Sequence, residues 1–341
     1  MASQKIRLHH LAYVRYQHSD LDKACEFLRD FGLHEAGRAD GCVYFRGYGS
    51  EPFVYCASKG DGPAFLGAAW AVDSAEDLER AAAVLPQASA VHDLDSPGGG
   101  RGVTFRDPVD GFPFELVFGR RPRGASDTDP DAAGAPERAR NYPQRKRRPA
   151  GDTVRMDRGP APVHKLGHFG LCVTDFAAAY DFFSTHFNLE PSDLVYDKAG
   201  RCITTFMHLG RGAEPVDHHA FFFFEGPEAH VHHASFEVHD FDVQCLGHHH
   251  LRSKGYDLVW GIGRHVMGSQ IFDYWYLSSS CSLSSSAMLT AGCDRFDTSH
   301  FILEHYTDGD LVDDSTPVHR SEAHPNNLHV WGPEVPETFL N

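Results

Sequence analysis

The chain contains an internal repeat, because its two halves follow the same order of predicted elements. Each half opens with an alternating apolar strand, continues into a helix that begins at Asp20 or Asp175, and then runs through several short strands. Aspartate is a favoured N-cap because its side chain accepts a hydrogen bond from the first helical turn. A second strand–helix series follows and ends in FPFELVFG or FILEHYTDG. The repeat predicts an α+β fold of two tandem modules, each made of paired βαβββ units around a curved mixed sheet.

Changes in composition divide the chain around this repeat. The stretch between the halves is rich in Arg, Pro, Asp and small residues, so it predicts a linker, and its basic run at 145–148 is most simply solvated. A Ser-rich insertion at residues 277–296 separates two predicted strands of the second half, and its composition fits either a surface loop or translated intron sequence. We predict modules at residues 1–119 and 162–310, a linker at 120–161 and a C-terminal tail at 311–341.

Aligning the two halves gives three matched positions with a bearing on chemistry. In the second half these positions hold His168, His233 and Glu304. In the first half we match them with His10, Gly67 and Glu115. Two imidazoles and a carboxylate on one face are the ligand set of non-haem Fe(II) enzymes, which keep other metal positions open. The alignment predicts a metal site in the C-terminal module and a metal-free, structural N-terminal module, because glycine offers no ligand atom.

Five segments of the second half carry a recognisable pattern: LGHFGLCVTD, DHHAFFFF, HHASFEV, GIGRHVMGSQIFDYW and FILEHYTDGD. They resemble the catalytic module of type I extradiol ring-cleaving dioxygenases of the vicinal oxygen chelate superfamily, also called the glyoxalase/bleomycin resistance/dioxygenase superfamily. The resemblance covers most of residues 6–119 and 162–310. It implies the same three metal ligands, and it implies His218 as an acid–base residue, with His219 as the alternative if the register differs by one. It also implies that His265 and Tyr274 contact the substrate and dioxygen.

Charge and composition limit the partners of the chain. Asp and Glu number 47 against 31 Lys and Arg, and the formal net charge of −16 argues against nucleic acid as a partner. We find no apolar run near the roughly 20 residues of a membrane-spanning helix and no apolar signal core near the start. Eight cysteines without CxxC spacing favour reduced thiols. We therefore expect a cytoplasmic protein that does not bind membranes.

Histidine is unusually frequent, with 24 residues, and most of these are expected to be structural. His248, His249 and His250 are consecutive on a predicted helix, so they point in different directions and cannot share a metal. His232 is expected to face away from His233 because side chains alternate along a strand. Chemistry is therefore assigned to four histidines, namely the two metal ligands and the two acid–base or substrate-binding residues.

The predicted function is that of an extradiol dioxygenase of aromatic compound catabolism. It would insert both atoms of O2 into the ring of a catechol-type substrate at a non-haem Fe(II) centre, with Mn(II) as the alternative metal. Its catalytic residues would be His218, His265 and Tyr274. Two other functions stay open: another metal-dependent enzyme of the superfamily, such as an isomerase or lyase, and a non-catalytic protein that binds aromatic compounds. A homo-oligomer is compatible with the fold.

Overall fold

The structure, a computed structural model, describes residues 4–123, 144, 150–151, 156–277, 301–324 and 327–340. The described chain forms two large mixed sheets, one in each half, with two helices packed in each half. This confirms the predicted α+β fold of two tandem modules. The predicted insertion at 277–296, apart from Leu277, and most of the predicted linker at 120–161 lie outside the described residues.

The first module contains two βαβββ units in succession, joined into one eight-stranded sheet of order β2-β3-β4-β1-β5-β8-β7-β6. Its elements are β1 (Leu8–His18), α1 (Leu21–Asp30), β2 (His34–Ala39), β3 (Cys42–Arg46), β4 (Tyr55–Lys59), β5 (Ala64–Val72), α2 (Ala75–Val84), β6 (His92–Asp93), β7 (Arg101–Arg106) and β8 (Pro113–Phe118). The chain stays packed on this module beyond its predicted end, because Arg120 lies over the rings of Tyr13 and Phe53.

The second module repeats this plan in a ten-stranded sheet of order β19-β10-β11-β13-β9-β14-β17-β16-β15-β20, with a separate pair β12-β18. Its elements are β9 (Val163–Val173), α3 (Phe176–His186), β10 (Leu189–Tyr196), β11 (Cys202–Leu209), β12 (Val216–Asp217), β13 (Phe221–Glu225), β14 (His230–Val238), α4 (Phe241–Lys254), β15 (Leu258–His265), β16 (Ile271–Leu277), β17 (Phe301–Thr307), β18 (Leu311–Val312), β19 (His319–Glu322) and β20 (His329–Trp331). The predicted tail thus adds a strand to each edge of the sheet.

Strand pairing is the same in both modules and sets the position of the site. The opening strands of the two units pair antiparallel, β1 with β5 and β9 with β14. Each opening strand of the second unit also pairs parallel with the last strand of that unit, β5 with β8 and β14 with β17. The centre of each sheet is therefore a row of three strands whose facing side chains meet over the concave surface.

One hydrophobic cluster holds the modules together. Buried apolar side chains of both halves belong to it, and aromatic pairs cross the boundary, such as Trp70 with Phe169 at 5.8 Å and Tyr16 with Phe301 at 4.4 Å between ring centroids. Asn188 adds a polar link, because its amide bonds both backbone groups of Leu8 in the first module. The two modules therefore support each other rather than packing as separate cores.

The six cysteines that the structure describes are free thiols, as their spacing predicted. In the described part of the chain, the helices are too short or too polar to span a membrane.

Candidate metal centre and substrate cavity

Three side chains predicted to bind metal meet on one face of the second sheet. His168 lies on β9, His233 on β14 and Glu304 on β17, which are neighbouring strands. Glu304 Oε2 is 3.1 Å from His168 Nε2 and 3.3 Å from His233 Nε2, and the two nitrogens are 3.2 Å apart. Ser235 lies between His168 and Glu304 in the register, and its small side chain leaves room for them to meet. The fold thus gathers three candidate ligand atoms into a nearly equilateral triangle.

The carboxylate of Glu304 is fully buried. Its side chain is 0% exposed, and neither carboxylate oxygen has a hydrogen-bond partner of acceptable geometry. A buried ionised carboxylate without donors is costly, so this position calls for a cation.

His232 determines which nitrogen of His233 carries the proton. Burial lowers the pKa of His232 to about 3, so the ring is neutral at pH 7, and its Nε2–H donates to the Phe339 carbonyl at 2.5 Å. Its Nδ1 therefore accepts the Nδ1–H of His233 at 2.7 Å. This leaves a lone pair on His233 Nε2, the atom that faces Glu304. Histidines that bind metals are commonly prepared in this way by a partner on the second nitrogen.

A β-bulge places His232 on the same side as His233, so the expectation that it faces away is wrong. The pairing of β14 with β9 shifts by one residue between Val231 and His233, which makes His232 the extra residue of the bulge. Both histidines line one cavity as a result. Strict alternation cannot reveal such a shift, so this position of His232 could not be predicted from the sequence.

Of the two adjacent histidines considered for proton transfer, the structure places His219 at the cavity. The ring centroids of His219 and His168 are 4.2 Å apart. His218 points elsewhere, since its Nε2 is 2.8 Å from Asp193 Oδ2, and Asp193 also pairs with His319 near the surface. The two Nδ1 atoms of His218 and His219 are 3.1 Å apart. Of the two, His219 lines the cavity and His218 does not, because one step along an extended chain turns a side chain to the other face.

His265 and Tyr274 lie together on the other side of the three candidate ligands. His265 Nδ1–H donates to the Leu328 carbonyl at 2.7 Å, and burial lowers the pKa of His265 to about 4. Its Nε2 is therefore an acceptor for the Tyr274 hydroxyl at 2.8 Å. Tyr274 is directly opposite Glu304 on β16 and β17, and its ring lies 5.1 Å from that of His233. Burial raises the pKa of Tyr274 well above its usual value, so its hydroxyl keeps its proton.

A cavity of about 590 Å³ opens in front of these residues. Most of its wall is apolar, with phenylalanines from β11 and β13 on one side and the C-terminal segment on the other. Phe339 of that segment packs against the rings of Tyr274, Trp260 and His232, each at 4.9 Å between centroids. The sequence predicted a C-terminal tail at 311–341, and the structure shows that this tail contributes to the cavity wall. An apolar cavity with a few convergent polar groups is typical of a small-molecule site.

The corresponding place in the first module holds a different set of residues. Tyr13, Ala69 and Glu115 face one another across three strands there, in the register of the second module's site. The match of His10 with the first ligand position is therefore wrong by three residues. His10 instead pairs with Glu51 at 3.0 Å. The Tyr13 hydroxyl donates to Glu115 Oε2 at 2.7 Å, so this carboxylate has a hydrogen-bond donor where Glu304 has none.

The donor atoms of the second module suit a divalent cation. Metal–nitrogen and metal–oxygen bonds of about 2.0–2.2 Å at right angles place ligands about 3 Å apart. The triangle of His168, His233 and Glu304 has sides of 3.1, 3.3 and 3.2 Å, which is close to that value. Two imidazoles and one carboxylate form a borderline set that suits iron and neighbouring transition metals. The negative charge of Glu304 and the lone pair on His233 Nε2 both suit a metal ion bound between these side chains.

Sequence comparison agrees with the fold. The profile of the Glyoxalase/Bleomycin resistance protein/Dioxygenase superfamily matches residues 7–116 and 165–274, which is one match for each module. The chain belongs to this superfamily, whose vicinal oxygen chelate fold the resemblance had indicated.

The individual relatives have low sequence identity to this chain. Metapyrocatechase 2 of Cupriavidus necator is 26% identical over 243 residues, which span 70% of this chain and 63% of that protein. Homoprotocatechuate 2,3-dioxygenase of Brevibacterium fuscum, in complex with 3,4-dihydroxyphenylacetate, has a TM-score of 0.76 at 18% identity, covering 99% of this chain and 93% of the other. The Mn(II)-bound glyoxalase of Novosphingobium aromaticivorans has a TM-score of 0.73 at 23% identity, covering 98% and 94%. The two solved structures share the fold of this chain.

Proposed function

We propose that this protein is an extradiol dioxygenase that cleaves a catechol-type ring at a non-haem Fe(II) centre held by His168, His233 and Glu304. The observation that carries the proposal is the convergence of these ligand atoms, His219 and the His265–Tyr274 pair on one apolar cavity. The sequence similarity to a metapyrocatechase supports the same chemistry. When bound, the metal would supply a place where a catechol and dioxygen meet and share electron density.

The chain's own residues would position the substrate and move its protons. His219 is buried, and burial lowers its pKa well below the usual value, so its ring is neutral. Its Nε2, the nitrogen that does not face His218, would take the proton of a catechol hydroxyl and later return it. The Tyr274 hydroxyl donates to His265, so its oxygen would accept a hydrogen bond from the second catechol hydroxyl. The apolar wall would exclude water from the reacting ring.

The lining favours substrates with neutral or apolar ring substituents. The described residues around the cavity include no lysine or arginine, whereas Glu225 and Glu337 contribute carboxylates. A substituent with its own carboxylate would lose hydration there and gain no counter-charge. We expect alkyl- or aryl-substituted catechols to be cleaved with a higher kcat/KM than 3,4-dihydroxyphenylacetate.

The test is anaerobic reconstitution with Fe(II) or Mn(II), followed by dioxygen consumption with a panel of catechols. Glu304→Gln should lose bound metal and dioxygen uptake. Glu115→Gln is the matched control, since it removes the carboxylate at the same sheet position of the first module and should retain both. Full turnover by Glu304→Gln would disprove the proposal. Catechol binding without dioxygen uptake would indicate a binding protein, and conversion without dioxygen would indicate an isomerase or lyase. The same preparation would decide between iron and manganese.

Location and assembly follow from the same proposal. A catechol dioxygenase that works with free thiols and Fe(II) suits the reducing cytoplasm, where we place it. Its expected partners are the small-molecule substrate and O2, and size-exclusion chromatography with light scattering would determine whether it forms a homo-oligomer.

A further inference from the structure

A second group of metal-binding side chains lies outside the cavity. Glu190 and His208 are directly opposite each other on β10 and β11. Asp314 follows β18 and reaches the same place from the other side. One ligand atom from each of the three residues lies within 4.8 Å of the other two. The three elements that carry them therefore converge at one point.

The imidazole of His208 has an unused, buried nitrogen. His208 is only 4% exposed, and its Nε2 has no hydrogen-bond partner. The hydroxyl of Ser192 donates its single hydrogen to the His218 carbonyl at 2.5 Å, so it can only accept from His208 Nδ1–H, which lies at 2.8 Å. With Nδ1 protonated in this way, the neutral ring carries its lone pair on Nε2. A buried lone pair without a donor is an uncommon state in a folded protein.

The two carboxylates are held near this lone pair without a compensating cation. Asp314 Oδ2 accepts a hydrogen bond from the Gly212 backbone N–H at 2.8 Å, which fixes its position. Among the described residues, neither Glu190 nor Asp314 forms an ion pair with lysine or arginine. Two carboxylates of like charge at such close range repel each other unless a cation lies between them.

We propose that Glu190, His208 and Asp314 form a second divalent-cation site, separate from the cavity. One imidazole and two carboxylates suit Mn²⁺ or Zn²⁺ better than Mg²⁺ or Ca²⁺, which prefer oxygen ligands alone. A cation there would join the sheet at β10 and β11 to the chain around Asp314. Because Ser192 bonds both His208 and the His218 carbonyl, the same cation would also stiffen the segment that carries His219.

The experiment counts Mn²⁺ bound to the holoprotein. The full chain is loaded anaerobically with Fe(II) and titrated with Mn²⁺, while free Mn²⁺ is followed by electron paramagnetic resonance and retained iron is measured in the same samples. The unaltered protein should bind one further Mn²⁺ per chain without losing iron, and its Tm should rise with Mn²⁺. His208→Gln and the double variant Glu190→Gln/Asp314→Asn should each weaken this binding at least tenfold.

Controls separate a specific site from a diffuse acidic surface. Glu214→Gln removes an exposed carboxylate from the same loop as Gly212 and should leave Mn²⁺ affinity within twofold. The double variant changes solvent-accessible carboxylates, so its fold is checked by an unchanged Tm without Mn²⁺. The proposal is overturned if the unaltered protein binds no further Mn²⁺, or if Glu214→Gln weakens binding as much as the double variant. These results do not depend on the catalytic proposal, because ring cleavage is not the readout.

Discussion

At the scale of single residues, the site depends on which of two neighbouring histidines faces the candidate metal ligands. His219 packs against His168, whereas His218 is engaged by Asp193. We predict that His219→Gln retains the metal but lowers kcat by about 10²- to 10⁴-fold, the usual contribution of a general acid–base group. Dioxygen uptake under saturating catechol, with metal content measured on the same sample, checks this prediction.

His218→Gln is the matched control for that variant. It removes an adjacent imidazole of the same type while leaving the group at the cavity in place. We expect kcat to fall by less than about tenfold, since loss of the contact with His219 affects only its orientation. A larger loss in His218→Gln than in His219→Gln would restore the original assignment.

At the scale of elements, the hairpin of β16 and β17 positions Tyr274 opposite Glu304. Seven residue pairs join these strands, from Ile271 with Thr307 to Leu277 with Phe301. The pairing continues to Leu277 and Phe301, where both strands leave the described chain. We predict that replacing residues 278–300 with a short Gly-containing turn leaves metal content and kcat within about twofold, because loop closure depends only weakly on length. Loss of bound metal in that variant would show that the insertion helps to place Glu304.

Helices α1 and α4 are joined by contacts of Asp30. Asp30 at the end of α1 accepts hydrogen bonds from His250 and Tyr256 and lies 3.3 Å from Lys254. Burial alone would raise the pKa of Asp30, but these partners outweigh it and hold the pKa below its usual value. A lowered folded-state pKa means that the stabilisation is present above the unfolded value of about 4 and is lost as the pH falls through the folded value.

Asp30→Asn should therefore lower the free energy of unfolding by about 1–3 kcal/mol at pH 7, the usual range for hydrogen bonds to a charged group. The difference from the unaltered protein should shrink as the pH falls below about 4. Urea unfolding at a series of pH values measures it. A difference that stays constant from pH 7 to pH 3 would mean that the charge of Asp30 contributes nothing.

How far the sequence predicted these elements depends on what local patterns encode. The order of strands and helices and the N-caps at Asp20 and Asp175 follow from periodicity and side-chain chemistry, and the structure confirms both caps. The bulge at His232 depends on pairing with another strand, and a local pattern carries no information about it. The match of Tyr13 with His168 was available from the sequence, because each lies seven residues before its N-cap, Asp20 or Asp175.

At the scale of the whole molecule, the first module supports the residue next to a candidate metal ligand. His305 Nε2–H donates to the Phe31 carbonyl at 2.7 Å, and the two rings stack at 3.6 Å between centroids. Phe31 belongs to the first module, while His305 follows Glu304 on β17. The first module therefore contacts β17 at the residue next to Glu304. This contact is one way in which the first module could support the site.

The C-terminal segment supports the site from the opposite side. Phe339 contributes in two ways, because its ring packs on Tyr274 and its carbonyl accepts the proton of His232. Phe339→Ala keeps the carbonyl and removes the ring, so the metal should stay bound while the wall beside Tyr274 opens to water. We predict that kcat/KM for an apolar catechol falls by about 10- to 100-fold, the scale of loss caused by a small misplacement of substrate.

Val330→Ala, an exposed apolar truncation in the same segment, should leave kcat/KM unchanged. Steady-state dioxygen uptake compares the variants, and metal analysis confirms that the site is intact. If Phe339→Ala keeps the kcat/KM of the unaltered protein, the segment only covers the module and takes no part in closing the cavity.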